Sequence, residues 1–204
     1  PRLGLVVGDL ALSTFEDKLS DAWPRCHNRD ESAFRTMTAF YRGTHHAAEA
    51  HQATWVLIDV GPNLGAINRA ALIASPYVVI PLGPDLFSLQ GLRNLGPSLR
   101  TWRTRWQELA GKNPVSELAM PTGKIEPLGY VVMQHGLRGN SPPKAYQRWI
   151  DRFPSEYRES VLDEPPSQSF KPANDPYCLA MLKHYRSLMP MAMESRKPVF
   201  ALKP

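Results

Sequence analysis

Short runs of apolar residues recur along the chain and predict buried β-strands. Residues 55–60 (WVLIDV) are apolar except for Asp59, and residues 128–133 (LGYVVM) contain no charge. Such runs are expected of strands that helices cover on both faces of a sheet. The predicted strands are residues 3–7, 55–60, 77–81, 128–133 and 199–202.

Segments with apolar residues at helical spacing alternate with these runs. The predicted helices are residues 12–23, 32–51, 64–74, 87–109 and 143–153, while residues 177–190 are ambiguous between strand and helix. Glu16 and Asp17 give the first helix an acidic start. Strands that alternate with helices predict an α/β fold with a mostly parallel sheet and helices on both faces. In such folds ligands bind beyond the carboxyl ends of the strands.

Length and composition narrow the class of protein. A chain of 204 residues can form one α/β domain with a sizeable core, so we predict a single domain over residues 1–204. No apolar run reaches the length of about 20 residues that spans a membrane. The two cysteines are far apart, which favours a reducing cytoplasm. The net charge of +5 permits contact with DNA, but many basic proteins bind no nucleic acid.

Asp59 is the first candidate functional residue. It ends a predicted strand and precedes Gly61 and Pro62, which predict a sharp turn. A carboxylate at this position can hold a water of a magnesium shell, because Mg²⁺ keeps several waters when proteins bind it. The alternative is an ordinary aspartate at a strand end that caps the following helix.

The wider segment around Asp59 resembles one family. LIDVGPNLGAINRAALIASPYVVIPLGPDLFSLQGLRNL is similar to the part of ParA/MinD-type partition ATPases that carries a strand-end aspartate, a proline-containing turn and a helix starting Leu-Gly. The resemblance extends to LGLVVGDLALSTFEDKL upstream and LGYVVMQ downstream, and more weakly to MAMESRKPVFAL. It implies a P-loop NTPase-like fold and the binding and hydrolysis of ATP with Mg²⁺.

The resemblance also implies roles for individual residues. Asp59 corresponds to the Walker B acid that acts on magnesium through water, and Gly61 and Pro62 correspond to the switch that senses the γ-phosphate. Gln134 takes the position where the family often reads adenine, although a solvated loop residue is an equal alternative. The residues that would flank the base are Lys183, Tyr185 and Pro190.

The sequence departs from the family in one important respect. The family's phosphate loop, of the form GKGGxGKT, does not occur in these 204 residues. Gly111-Lys112 and Gly123-Lys124 follow no predicted strand and open no helix, so they are not phosphate loops. Since the chain starts at Pro1 and enters an apolar run at once, we expect that the N-terminal part of the domain, with this loop, lies upstream.

Two basic clusters are candidates for DNA contact. In the first, arginines at positions 93, 100, 103 and 105 interleave with Trp102 and Trp106. Such a cluster can bind nucleic acid through charge and stacking, but a surface helix that buries its tryptophans is the favoured interpretation. The family binds DNA nonspecifically with C-terminal basic residues, which makes the second cluster the better candidate. Its members are Lys183, His184, Arg186, Arg196 and Lys197.

His45 and Glu49 are four residues apart on one helix face and could ligate zinc. No third ligand is evident, so an exposed helix end is the favoured interpretation.

Three functional hypotheses follow. The leading one is a ParA-like ATPase that dimerises on binding ATP, responds to a ParB-like activating partner and positions DNA or other cargo in the cytoplasm, at the nucleoid. The second is a non-catalytic module of the same fold that binds DNA or protein. The third is a metabolic relative such as an ATP-dependent ligase. The sequence upstream of Pro1 distinguishes them.

Overall fold

The computed structural model describes residues 4–135, 144–183, 185 and 187–202. Its helices are α1 (Phe15–Arg25), α2 (Glu31–Met37), α3 (Ala39–His51), α4 (Ala66–Ala74), α5 (Leu86–Ala110), α6 (Lys144–Ile150), α7 (Phe153–Glu156) and α8 (Leu188–Ser195). Its strands are β1 (Tyr77–Leu82), β2 (Glu126–His135) and β3 (Cys178–Lys183). A π-helix (Tyr157–Leu162) follows α7 directly, and short 3₁₀ helices lie at Leu10–Thr14, Cys26–Asn28, Pro172–Asn174 and Val199–Ala201.

The sheet of the described residues has three parallel strands in the order β1-β2-β3. Tyr130 on β2 pairs with Cys178 on β3, and further along His135 pairs with Lys183. Gly129 has φ 155°, and a Cβ at this position would lie 2.4 Å from the carbonyl oxygen of Tyr177. Glycine therefore lets β3 approach β2 closely. The predicted α/β fold with a parallel sheet flanked by helices is confirmed.

The chain divides into two compact units. Unit 1 comprises Pro1–Val78 and Leu95–Pro127, and unit 2 comprises Val79–Asn94 and Leu128–Pro204. In the core of unit 1, Trp23 stacks on Trp106 with 6.3 Å between ring centroids. The indole N–H of Trp106 donates to the carbonyl of Pro121 at 2.9 Å, which satisfies the polar atom of a fully buried ring. A single domain over residues 1–204 stays a prediction.

The core of unit 2 combines aromatic rings with a buried ion pair. Arg158 donates to both carboxylate oxygens of Asp175, at 2.7 and 3.2 Å, and the Tyr130 hydroxyl donates to the same carboxylate at 2.8 Å. The side chains of Arg158 and Asp175 are 6% and 0% exposed. The guanidinium also lies over the Phe170 ring, 4.0 Å from its centroid. This pair fixes the π-helix to the loop that leads into β3.

The charge of Asp175 is maintained against its burial. Burial disfavours the ionised carboxylate, but hydrogen bonds from Arg158 and Tyr130 outweigh that cost and lower the pKa of Asp175. Burial and the hydrogen bond to Asp175 together raise the pKa of Tyr130. The phenol therefore remains a donor and the carboxylate an acceptor.

Two predicted strands are wrong. Residues 4–9 and 55–60 belong to no helix or strand of the described residues. Most of their apolar side chains are exposed, with Leu5 at 83% and Leu57 at 94%. The physical reason is that an apolar run becomes a buried strand only where neighbouring strands supply hydrogen bonds and helices supply cover.

The other helices and strands differ less from their predictions. The predicted helix over residues 32–51 is interrupted at Thr38, whose hydroxyl donates back to the carbonyl of Phe34 at 2.8 Å. Residues 199–202, predicted as a strand, form the 3₁₀ helix Val199–Ala201. Within the ambiguous region over residues 177–190, Cys178–Lys183 forms β3 and α8 begins at Leu188. None of the described helices combines the length and apolarity required to cross a bilayer.

We predict that Asp175→Ala lowers the free energy of unfolding by about 3–5 kcal/mol near neutral pH, because it leaves Arg158 buried without its carboxylate. Urea unfolding measures this loss. The exposed Asp21, which pairs with Arg25 on the surface of α1, provides the control Asp21→Ala, which is expected to cost less than about 1 kcal/mol.

The ion pair between Arg158 and Asp175 also predicts how the free energy of unfolding depends on pH. The pKa of Asp175 is lowered on folding, so its stabilisation is fully present above the ordinary value of 3.8. It is lost as pH falls through the lower pKa of the folded state. The difference in unfolding free energy between wild type and Asp175→Ala should therefore narrow in strong acid. A constant difference would contradict the assignment.

Candidate functional site

The carboxylate of Asp59 is exposed in unit 1, immediately before the turn that leads to α4. Gly61 and Pro62 are also exposed. The three residues predicted as catalytic thus lie together in one accessible loop. An exposed carboxylate at this position can accept hydrogen bonds from the water ligands that Mg²⁺ retains when a protein binds it.

Asn68 fixes this turn from the first turn of α4. Its side chain amide donates to the carbonyl of Gly61 at 2.7 Å and to the carbonyl of Asn63 at 2.7 Å. Asn68 is only 6% exposed, so its amide must find partners within the protein. Those partners are backbone carbonyls of the turn around Gly61 and Pro62, which is the candidate switch.

Glu16 on α1 caps the amino end of α4. One carboxylate oxygen accepts the backbone N–H of Ala66, and the other accepts that of Ile67 at 2.9 Å. The cap residue of α4 itself, Gly65, provides no side chain. The negative charge is also favourable at the positive end of the helix dipole. A residue about 50 positions away along the chain therefore takes the place of a local N-cap.

Gly65 leaves room for this carboxylate. A Cβ on Gly65 would lie 2.8 Å from an oxygen of Glu16 and 2.9 Å from the side chain oxygen of Asn63. Sequence reasoning missed Glu16 and Asn68 as parts of the site. The signal for Asn68 was a polar residue on a helix whose other members, apart from Arg69, are apolar, whereas Glu16 looked like an ordinary acidic helix start.

The residues predicted to surround the base lie in unit 2. Gln134 is on β2, one residue before the pair between His135 and Lys183, so the ends of β2 and β3 meet at one sheet edge. The side chain of Gln134 lies outside the described residues. Lys183, Tyr185 and Pro190 are exposed. This group and the Asp59 turn belong to different units.

The C-terminal basic cluster also lies in unit 2. Arg196 and Lys197 are exposed directly after α8, where positive charge is favourable near the carboxyl end of a helix. The backbone N–H of Lys197 donates to the carbonyl of Ala192 at 3.0 Å. Arg186, the third predicted DNA contact, and His184 lie outside the described residues. Unit 2 carries 12 Lys and Arg against 8 Asp and Glu, whereas unit 1 carries 12 against 11, so most of the net positive charge is in unit 2.

The other candidate clusters have structural explanations. Trp102 and Trp106 are 9% and 0% exposed, so they are unavailable to stack on nucleic acid, as the favoured interpretation of α5 predicts. His45 packs against the ring of Tyr41 on α3 with 4.2 Å between centroids. Within the described part of the chain, no group of three or more His, Cys, Asp or Glu could hold a metal ion together.

Comparison with protein families gives a match over part of the chain. The profile of the AAA domain family matches residues 45–110, a range that contains the segment around Asp59 on which the resemblance depends. This match confirms the resemblance to ParA/MinD-type P-loop ATPases. No curated protein matches the sequence significantly.

A solved structure shows that the fold occurs elsewhere. The chain is similar to the crystal structure of protein DIP2308 from Corynebacterium diphtheriae, with a TM-score of 0.60 and 23% sequence identity. The match covers 93% of this chain and 61% of that one. The chain thus spans less than two thirds of the length of the matched protein.

We predict that Gly65→Ala lowers the free energy of unfolding by about 1 kcal/mol, the usual size of a lost helix cap, because the new methyl group displaces the Glu16 carboxylate. Thermal or urea unfolding measures the change. Gly43→Ala is the control, since a Cβ there meets nothing within 4 Å. In the interior of α3 it should stabilise by about 0.5–1 kcal/mol. Equal effects of the two substitutions would contradict the cap.

Proposed function

We propose that the protein is a ParA-like ATPase. It binds and hydrolyses ATP with Mg²⁺ and uses nucleotide-dependent dimerisation to position DNA or other cargo. The proposal concerns the whole protein, because the chain spans 61% of the structure that it matches. Its partners would be a second copy of itself, nonspecific DNA and a ParB-like activator, in the cytoplasm at the nucleoid.

The observation that carries the proposal is the position of Asp59. Its carboxylate is exposed next to a turn that Asn68 fixes, within the range that the AAA domain profile matches. Asp59 would hold Mg²⁺ through a water molecule, and the ion, when bound, would supply neutralisation of the charge on the transferred phosphoryl group. The backbone of Gly61 and Pro62 would face the terminal phosphate.

Adenine recognition is assigned to unit 2. Gln134 is the residue before the end of β2 and Lys183 ends the neighbouring parallel strand β3, and the carboxyl ends of parallel strands are where α/β proteins bind ligands. Tyr185 and Pro190 follow β3 in the chain and would flank the base. These four residues bind and orient, and none takes part in proton transfer.

A second candidate is a non-catalytic module of the same fold that binds DNA or protein. It is favoured by one observation, the absence of a Gly-Lys-Ser/Thr phosphate loop from the 204 residues. The two candidates differ in what Asp59 does, since only the ATPase depends on its carboxylate.

We predict that Asp59→Ala in the full-length gene product lowers the rate of ATP hydrolysis about a hundredfold or more, because metal-ion stabilisation of the transition state contributes several kcal/mol. Phosphate release measures the rate. Glu49→Gln, an exposed change on α3, is the control and should keep the wild-type rate. Wild-type turnover by Asp59→Ala would rule out the role of Asp59, and an inactive wild type would favour the non-catalytic module.

We also predict that reversing the charges of Arg186, Arg196 and Lys197 to glutamate weakens DNA binding and makes it less sensitive to salt. Each phosphate contact contributes about 0.9 to the slope of log affinity against log salt. Fluorescence anisotropy with duplex DNA at several salt concentrations measures both quantities. The matched control reverses three lysines of unit 1, Lys18, Lys112 and Lys124. Equal losses in the two triple variants would indicate a general charge effect and overturn the assignment.

A further inference from the structure

The amino end of α4 connects two parts of unit 1. On one side it receives the carboxylate of Glu16 from α1, and on the other it presents Asn68 to the turn after Asp59. Because the N–H groups of Ala66 and Ile67 have no partner within the helix, Glu16 determines how this end of α4 is held.

In these two contacts the side chain of Asn68 uses both of its N–H donors and that of Glu16 uses both of its carboxylate oxygens. The Asn68 side chain is buried and has only two N–H donors, which it directs to the carbonyls of Gly61 and Asn63. It also lies 3.1 Å from the side chain oxygen of Asn63. The Glu16 carboxylate uses one oxygen for each of two successive amides. A shift of the end of α4 would therefore strain or break several hydrogen bonds at once.

Asn63 belongs to both contacts. Its side chain oxygen accepts the backbone N–H of Gly65 at 2.9 Å, and it lies beside the space that Gly65 leaves for Glu16. The turn and the cap thus share atoms at residues 63–65. A displacement of the carboxylate of Glu16 changes the surroundings of Asn63, and through Asn63 and Asn68 it changes the turn.

We propose that Glu16 is a positioning residue for the Gly61–Pro62 turn and acts on it through α4 and Asn68. The proposal rests on the proposed function, in which this turn faces the terminal phosphate. Since Glu16 belongs to α1, it also couples that helix to the candidate switch. A simple helix cap would stabilise α4 and leave the turn and the chemistry unchanged.

The first test measures the turn itself, in the full-length gene product, without nucleotide. Backbone and side chain amide shifts from ¹⁵N NMR are compared for wild type, Glu16→Ala and Asp17→Ala. Asp17 is the matched control, because it is the next residue on α1, carries the same charge and is exposed. In Glu16→Ala we expect shifts at Ala66 and Ile67 and also at Gly61, Asn63 and the Asn68 side chain. Changes confined to α1 and residues 65–67 would overturn the proposal.

The second test measures ATP hydrolysis by the full-length gene product with the same two variants. Glu16→Ala is expected to lower kcat about tenfold, which corresponds to about 1.4 kcal/mol of activation free energy, with KM for ATP unchanged. Asp17→Ala should keep the wild-type kcat. If Glu16→Ala is less stable but equally active well below its unfolding temperature, Glu16 is only structural and the proposal is wrong.

A conservative variant keeps the proposal testable if Glu16→Ala does not fold. Glu16→Gln keeps one acceptor oxygen for the helix end, and its kcat and turn shifts should fall between those of wild type and Glu16→Ala. If the wild type shows no hydrolysis that depends on Asp59, the proposed function fails. The NMR comparison then decides the coupling between Glu16 and the turn by itself.

Discussion

The capping of α4 by Glu16 is the contact on which the candidate site depends. A helix of nine residues is too short to be stable without tertiary contacts, and its own cap residue is a glycine. The carboxylate satisfies two orphan N–H groups and complements the helix dipole. With the end of α4 fixed, Asn68 can hold the turn that follows Asp59. The geometry of that turn is therefore set by a residue on another helix.

Unit 2 is organised by the same kind of contact. Asp175 joins Arg158 of the π-helix to Tyr130 of β2, and Glu156 accepts two hydrogen bonds from Arg93, at 2.9 and 2.7 Å. Burial disfavours the ionised form of Glu156, yet hydrogen bonds from Arg93 and Ser160 keep its pKa below the ordinary value. In both units, carboxylates that accept several hydrogen bonds connect elements that are distant in the sequence. The buried carboxylates of unit 2 are costly to leave unpaired, so they favour one arrangement of its elements over others.

The sequence predicted the parts of the fold that depend on local pattern. The long helix and two of the strands are close to their predicted bounds, as α5, β1 and β2 show. The predictions of strands at residues 3–7 and 55–60 failed in the described residues because strand formation depends on neighbours that the pattern of a single segment does not specify. The same limit applies to the site. Asp59 and its turn could be found from adjacent residues, whereas the contact between Glu16 and α4 spans about 50 positions and has no local signal.

The chain segments before and after Asp59 are held in different ways. The segment before it exposes apolar side chains, including Trp55 at 80%, so packing does not fix the carboxylate from that side. The segment after it is fixed by four hydrogen bonds, two from Asn68 to backbone carbonyls and two to the carboxylate of Glu16. The position of Asp59 is consequently defined from its C-terminal side, by the turn and α4. If Asp59 acts as proposed, a displacement of about 1 Å would cost it effectiveness, so the residues that fix this turn would contribute to the site although they would not touch the reacting atoms.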